Sequence, residues 1–170
     1  MLAFASMVME HQLAFLLLMR SNYYGAALAL IRSQMESLIR MLWIARCATD
    51  YQVNQIGANR GFEFPTLRLM TEAIDTAYRT GGFFGRLKSG TWKLLCDFTH
   101  TGMRQVFRRF KGKIIEPNYT PTSMLTATNM VNAAVLLAGA ALFEQMGYQE
   151  ELTAIKHLMA DYDLFKTAIQ

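Results

Sequence analysis

Residues 31–43 read IRSQMESLIRMLW, and within them Ile31, Met35, Leu38 and Leu42 fall at spacings of four, three and four. An α-helix turns by about 100° per residue, so this spacing sets the four side chains along one edge, as in a helix laid against a core. The same periodicity extends over about Tyr23 to Ala48, and no alternation of apolar and polar residues competes with it. Helix is the element from which this chain is built.

The preceding apolar stretch predicts a helix from about Leu2 to Arg20, with Ser21 and Asn22 as its stop and the next N-cap. Asp50 is expected to cap a short turn through Ile56, and Gly57, Gly61 and Pro65 mark a loop. Further helices are predicted over Thr66 to Tyr78, ended by Gly81 and Gly82, and over Gly90 to Phe110, capped by Ser89 and closed by Lys111, Gly112 and Lys113. Pro117 and Pro121 break the chain before the last two, Thr122 to Met146, stopped by Gly147, and Gln149 to Tyr162. Six helices with mostly short connections predict an all-α, up-and-down bundle forming one domain over residues 1–170. Internal repeats and low-complexity tracts are absent from the sequence.

With 52% apolar and 18% charged residues, a chain of 170 residues can bury a sizeable core, and a net charge of +4 is too small to hold it disordered. The charge is uneven. Residues 1–114 carry 15 basic and 7 acidic side chains, and residues 115–170 carry 2 and 6, so an anionic partner would meet the first part. Cys47 and Cys96 are isolated in apolar helical stretches, which predicts buried thiols in a reducing, cytoplasmic setting. The opening stretch has no basic region and contains Glu10 and His11, so no signal peptide is expected. Pro117 to Phe143 has no formal charge and is long enough to span a bilayer. It contains Asn118, Asn129 and Asn132, however, which predicts an interior helix and no membrane insertion. Ala134, Ala138 and Ala141 leave room for a close backbone, either within the bundle or in a second copy of a homo-oligomer.

Candidate functional residues lie where charge borders an apolar face. On the second helix Arg32, Glu36, Ile39 and Trp43 cluster beside the core seam, with Arg40 just outside, so Glu36 lies one turn from each arginine. Arg32, Glu36 and Arg40 are candidate substrate-binding residues; the plainer alternative is an ion cluster that fixes helix register. On the helix predicted from Gly90, the spacing of Lys93, Asp97, His100 and Arg104 puts all four on one edge, beside an apolar face of Trp92, Leu95, Thr99, Met103, Val106 and Phe110. Histidine is the side chain that ordinarily exchanges protons near neutrality, so His100 could act on an anion held by Lys93 and Arg104, with Asp97 orienting the ring. The plainer alternative is a hydrogen-bonded structural histidine. Gly102 within that helix hints at the close approach of another backbone or of a ligand. His11 and His157 have weaker surroundings and read as structural or surface residues.

Residues 104–113 then place five cations, Arg108 and Arg109 among them, around Phe107 and Phe110. Such a run suits a phosphate backbone, and equally the negative end of a helix dipole. No cofactor is expected, since phosphate-binding glycine loops, nucleophile elbows and the Cys-x-x-Cys and His-Glu-x-x-His spacings are all missing. No metal is expected either, because Asp97 and His100 alone make a poor ligand set.

The Arg32-x3-Glu36-x3-Arg40 pattern on a long helix, followed by a helix ending in His100-Thr101-Gly102, resembles bacterial helical proteins without an assigned activity and, more distantly, the HEPN superfamily. The resemblance covers residues 22–146 in layout. It implies a helical bundle that often dimerises, and for active members a metal-independent ribonuclease of toxin–antitoxin or phage-defence systems. The family hallmark is an arginine, four to six residues, then a histidine; here the nearest match is Lys93, six residues, then His100. Lysine brings charge without the bidentate fork of arginine, which Arg104 could supply from one turn later. Carried onto these positions, the resemblance makes His100 the proton donor or acceptor at a ribose 2′-hydroxyl or leaving oxygen, and Lys93 or Arg104 the group that steadies the phosphorane. Two copies with adjacent His100 helices would form one cleft.

Two other readings stay open. In one, the chain is a non-catalytic oligomerisation or partner-binding module, an antitoxin or scaffold, whose twelve methionines and eleven phenylalanines make an adaptable surface. In the other, Arg32, Glu36 and His100 line a small-ligand pocket. An exposed, cationic setting for His100 favours the enzyme, and a sealed one the module.

Overall fold

The computed structural model describes residues 1–58 and 61–160. Eight helices run through the described residues: α1 (Leu2–Arg20), α2 (Tyr24–Arg46), α3 (Asp50–Gly57), α4 (Leu67–Tyr78), α5 (Phe83–Thr99), α6 (Met103–Phe107), α7 (Pro121–Met146) and α8 (Gln149–Ala160). A two-residue antiparallel ladder joins β1 (Phe110–Lys111) to β2 (Ile114–Ile115), with Phe110 opposite Ile115. The protein is an all-α bundle. The end expected for its last helix, at Tyr162, lies outside the described residues.

Helix α2 is the axis of the bundle and packs against α1, α4, α5 and α7. It buries Ile31, Met35, Leu38 and Leu42, the seam that spacing alone had marked. One continuous cluster of buried side chains runs from Ala5 to Ala141. Inside it, the Gln34 amide nitrogen donates to the Val8 carbonyl of α1 at 3.0 Å and the Val131 carbonyl of α7 at 3.2 Å, pinning three helices at one point. Ala127, Ala133, Ala134, Ala138 and Ala141 of α7 are buried, so the small-residue face is used within the bundle. Both α1 and α7 are long and apolar enough to cross a membrane, by length and composition only. The two thiols are half-buried and not fully enclosed as expected. Burial pushes Cys47 above its ordinary value, against the pull of the Arg46 guanidinium.

Helix ends show where local chemistry decided. Thr49, and not Asp50, caps α3, its hydroxyl and the Gln52 side chain forming a reciprocal capping box. Thr66 and Thr120 cap α4 and α7, the latter with Pro121 in the first turn. Asn22 is not an N-cap: it takes a left-handed conformation (φ 63°) and accepts from the Tyr24 hydroxyl at 2.6 Å. Helix α5 begins at Phe83, one and a half turns or more before the Ser89 cap that the sequence suggested. Its start is held by a distant residue, because the Asp75 carboxylate of α4 accepts from the backbone N–H groups of Phe84 at 2.9 Å and Gly85 at 2.8 Å.

At the C-terminal end of α2, Arg46 stacks over the Tyr78 ring at 4.5 Å and pairs with Glu144, while the Tyr78 hydroxyl donates to the Leu42 carbonyl at 3.4 Å. Burial pushes the phenol from its ordinary 10.0 up to about 12, with Arg46 opposing and Glu144 assisting. Between those two values an unfolded chain loses this proton while the folded chain keeps it, so stability must fall as pH rises through that window. Denaturant titrations of wild type and Tyr78→Phe across pH 10 to 12 should therefore converge, the wild type losing the larger share.

Candidate functional site

Helix α5 stops at Thr99, and this separates the structure from the single long helix expected over Gly90 to Phe110. Thr101 enters the left-handed region (φ 56°), and the Gly102 N–H reaches back to the Asp97 carbonyl at 2.6 Å. Those two features close α5 as a left-handed cap. A new axis then starts at α6, and beyond it the chain turns through the β1–β2 hairpin, with Gly112 (φ 65°) in its two-residue loop. Lys93, Asp97, His100 and Arg104 therefore do not share one helical edge. Asp97 still meets Arg104, at 3.4 Å across the corner. Lys93 is exposed and has no ion-pair partner among the described residues.

His100 is instead met by α2. The Thr99 hydroxyl is within 2.9 Å of the Leu95 carbonyl and 3.3 Å of the Ala29 carbonyl on α2, fixing the end of α5 against that helix. The exposed His100 ring then touches Arg32, its Nε2 facing Nη1 of the guanidinium. Arginine has only donors, so Nε2 must accept, and the ring proton of the neutral imidazole lies on Nδ1, away from this contact. Arg32 is held from two further directions: its Nε donates to Glu36 Oε1 at 3.0 Å, and its guanidinium lies over the Trp92 ring at 5.7 Å. Arg40 donates to the other Glu36 oxygen at 3.3 Å and lies over Phe64 at 5.6 Å. Glu36 thus sits between two arginines, as its spacing predicted, with its side chain about a quarter exposed.

Of the second stripe, His100 alone joins Arg32, Glu36 and Arg40 of the first, in one site centred on the Arg32–His100 contact. Spacing on a single helix could not reveal this, because the contact joins residues 68 apart. The roles of Trp92 and Phe64 as platforms under the arginines were equally hidden. Among the described residues, no three of His, Cys, Asp and Glu gather in a way that could hold a metal.

The basic run divides in two. Arg109, Lys111 and Lys113 are exposed, as are Phe107, Phe110, Ile114 and Ile115, so the end of α6 and the hairpin carry cations and apolar side chains together into solvent. Lys111 pairs loosely with Glu116 at 3.6 Å. Arg108, expected on that same surface, is half-buried and turned inward between the rings of Phe98 and Tyr119.

A model of the family described as "Family of unknown function (DUF6988)" matches residues 5–163. No curated protein and no solved structure matches the chain.

Proposed function

We propose that this chain, which belongs to the DUF6988 family, cleaves single-stranded RNA at a site built on His100 and Arg32. The observation that carries the reading is the exposed imidazole of His100 seated against a guanidinium that is itself fixed by Glu36 and Trp92. A proton carrier beside a preorganised cation is what an in-line attack by a ribose 2′-hydroxyl needs. In that step Arg32 Nη1 passes from His100 to the phosphate, the freed Nε2 takes the 2′-hydroxyl proton, the 2′-oxygen bonds to phosphorus, and the 5′-oxygen of the next nucleotide leaves with a proton from water. The products are a 2′,3′-cyclic phosphate and a 5′-hydroxyl end. Arg32, and not Lys93 or Arg104 as the resemblance implies, steadies the negative charge on the phosphorane, and its fork suits a phosphate better than an ammonium does.

The hairpin supports the same reading. Exposed Phe107 and Phe110 beside Arg109, Lys111 and Lys113 combine stacking surfaces with backbone charge, the usual means of holding a single strand. The likeness to HEPN proteins would give such an activity a toxin–antitoxin or phage-defence setting in a cytoplasm, with the chain as a homo-oligomer and not inserted in a membrane.

Arg32→Gln tests the reading. Cleavage of a labelled single-stranded RNA should fall by about 100-fold, the usual loss on removing one charge-stabilising donor, while the melting temperature moves little. Unchanged cleavage would remove Arg32 from the mechanism.

A second reading, a non-catalytic partner-binding module, is favoured by one observation. Leu2, Met9, Leu13 and Leu17 along α1 are each more than half exposed. An RNA that is neither bound nor cleaved, with self-association lost in Leu13→Glu, would favour that module.

A further inference from the structure

A cleft of about 240 Å³ opens between α2, α5 and α7, lined by Leu28, Leu95, Phe98, Met124 and Met130, with Arg108 at its side. Its hydroxyl groups are already committed: Thr91 donates to the Leu87 carbonyl, Ser123 to that of Thr120, and Thr126 to that of Thr122. Arg108 is the one charged side chain of the lining, and its guanidinium has no carboxylate or carbonyl partner among the described residues. Phe98 at 6.0 Å and Tyr119 at 5.6 Å hold it in place by their ring faces. A half-buried guanidinium is costly to leave without an anion, and here it faces an otherwise apolar space.

We propose that this cleft binds a small monocarboxylic acid whose apolar body enters between the helices while Arg108 clamps the carboxylate. An apolar cavity of about 150 Å³ holds benzene, so the space here suits a body of roughly six to eight carbons. The single cation matches a monoanion; a phosphate dianion would ask for a second charge that the lining lacks. The proposal is independent of RNA cleavage, since Arg108 and His100 share no contact and none of Arg32, Glu36, Trp92 and His100 lines the cleft.

Calorimetric titration of the full chain with octanoate, 1-octanol and acetate tests it, alongside NMR of methyl-labelled methionine. Octanoate should bind saturably at one site, at least tenfold more tightly than octanol or acetate, and shift the methyl signals of Met124 and Met130. Arg108→Met, folded as judged by its melting temperature, should bind octanoate at least tenfold more weakly and octanol as before. Should Arg108→Met fail to fold, Arg108→Lys takes its place, with a smaller loss expected. Absence of saturable octanoate binding, silent Met124 and Met130 methyls, equal binding of acetate, or undiminished binding by the Arg108 variant would each overturn the proposal.

Discussion

Replacing His100 with alanine should lower the rate of single-stranded RNA cleavage by about 100- to 10,000-fold, the range over which a positioned proton-transfer group acts. The size of the effect follows from the placement of the ring. His100 stands just past the end of α5, exposed, and no buried group depends on it. Its loss should therefore cost less than about 0.5 kcal/mol of stability, as for most surface substitutions. The Arg32 contact gives the imidazole a fixed orientation, with Nε2 accepting, so its orientation need not be won during the reaction. A His100→Gln variant retains an acceptor for Arg32 but cannot exchange protons, and should be as inactive as alanine. Parallel melting and cleavage measurements on the two variants separate chemistry from folding.

Gly102→Ala should unfold the corner that presents His100. A methyl group built on Gly102 would stand 2.5 Å from the Asp97 carboxylate oxygen and 2.8 Å from the Asp97 α-carbon. The carboxylate could swing away, but the α-carbon belongs to the last turns of α5, so the backbone itself must shift. Overpacking of this kind costs about 1 to 3 kcal/mol, and it would break the 2.6 Å bond from the Gly102 N–H to the Asp97 carbonyl. Denaturant titration should register the loss of stability, and cleavage should fall with it because the ring leaves Arg32. Gly57→Ala is the matched control: nothing lies within 4 Å of its added carbon, and both properties should be preserved.

The bundle was legible because its decisive signals are local. The spacing of Ile31, Met35, Leu38 and Leu42 marked the buried edge of α2, and α1 begins and ends where its apolar run does, at Leu2 and Arg20. The start of α5 was not legible, since its cap is Asp75, on another helix and nine residues from Phe84. Its end was misread for a different reason. The left-handed position that closes a helix usually falls to glycine, yet here Thr101 takes it and Gly102 comes one place later. Read as a mid-helix glycine, Gly102 extended the helix by three turns and aligned Lys93 and Arg104 with His100 on paper. Gly102 was expected to mark the approach of another backbone or of a ligand; the space beside it is filled instead by Asp97 of the helix that it closes.

The Glu36 cluster shows the same division. Its i, i+4 ion pairs with Arg32 and Arg40 follow from helix geometry alone. That Arg32 also reaches His100 depends on how α5 crosses α2, which no spacing within either helix encodes. The inward turn of Arg108 is likewise tertiary, set by Phe98 and Tyr119 from two different segments.

The central claim is that His100, steadied by Arg32, carries a proton in cleavage at a ribose 2′-hydroxyl. Mass spectrometry of the ends left on a defined single-stranded RNA, and on the same RNA with a 2′-deoxyribose at each cleaved position, tests it most directly. The account predicts 2′,3′-cyclic phosphate and 5′-hydroxyl ends from the wild type, with the deoxy-substituted RNA and the His100→Ala reaction both left intact. RNA untouched by the wild type, or cut equally well by His100→Ala or at deoxy positions, would contradict it.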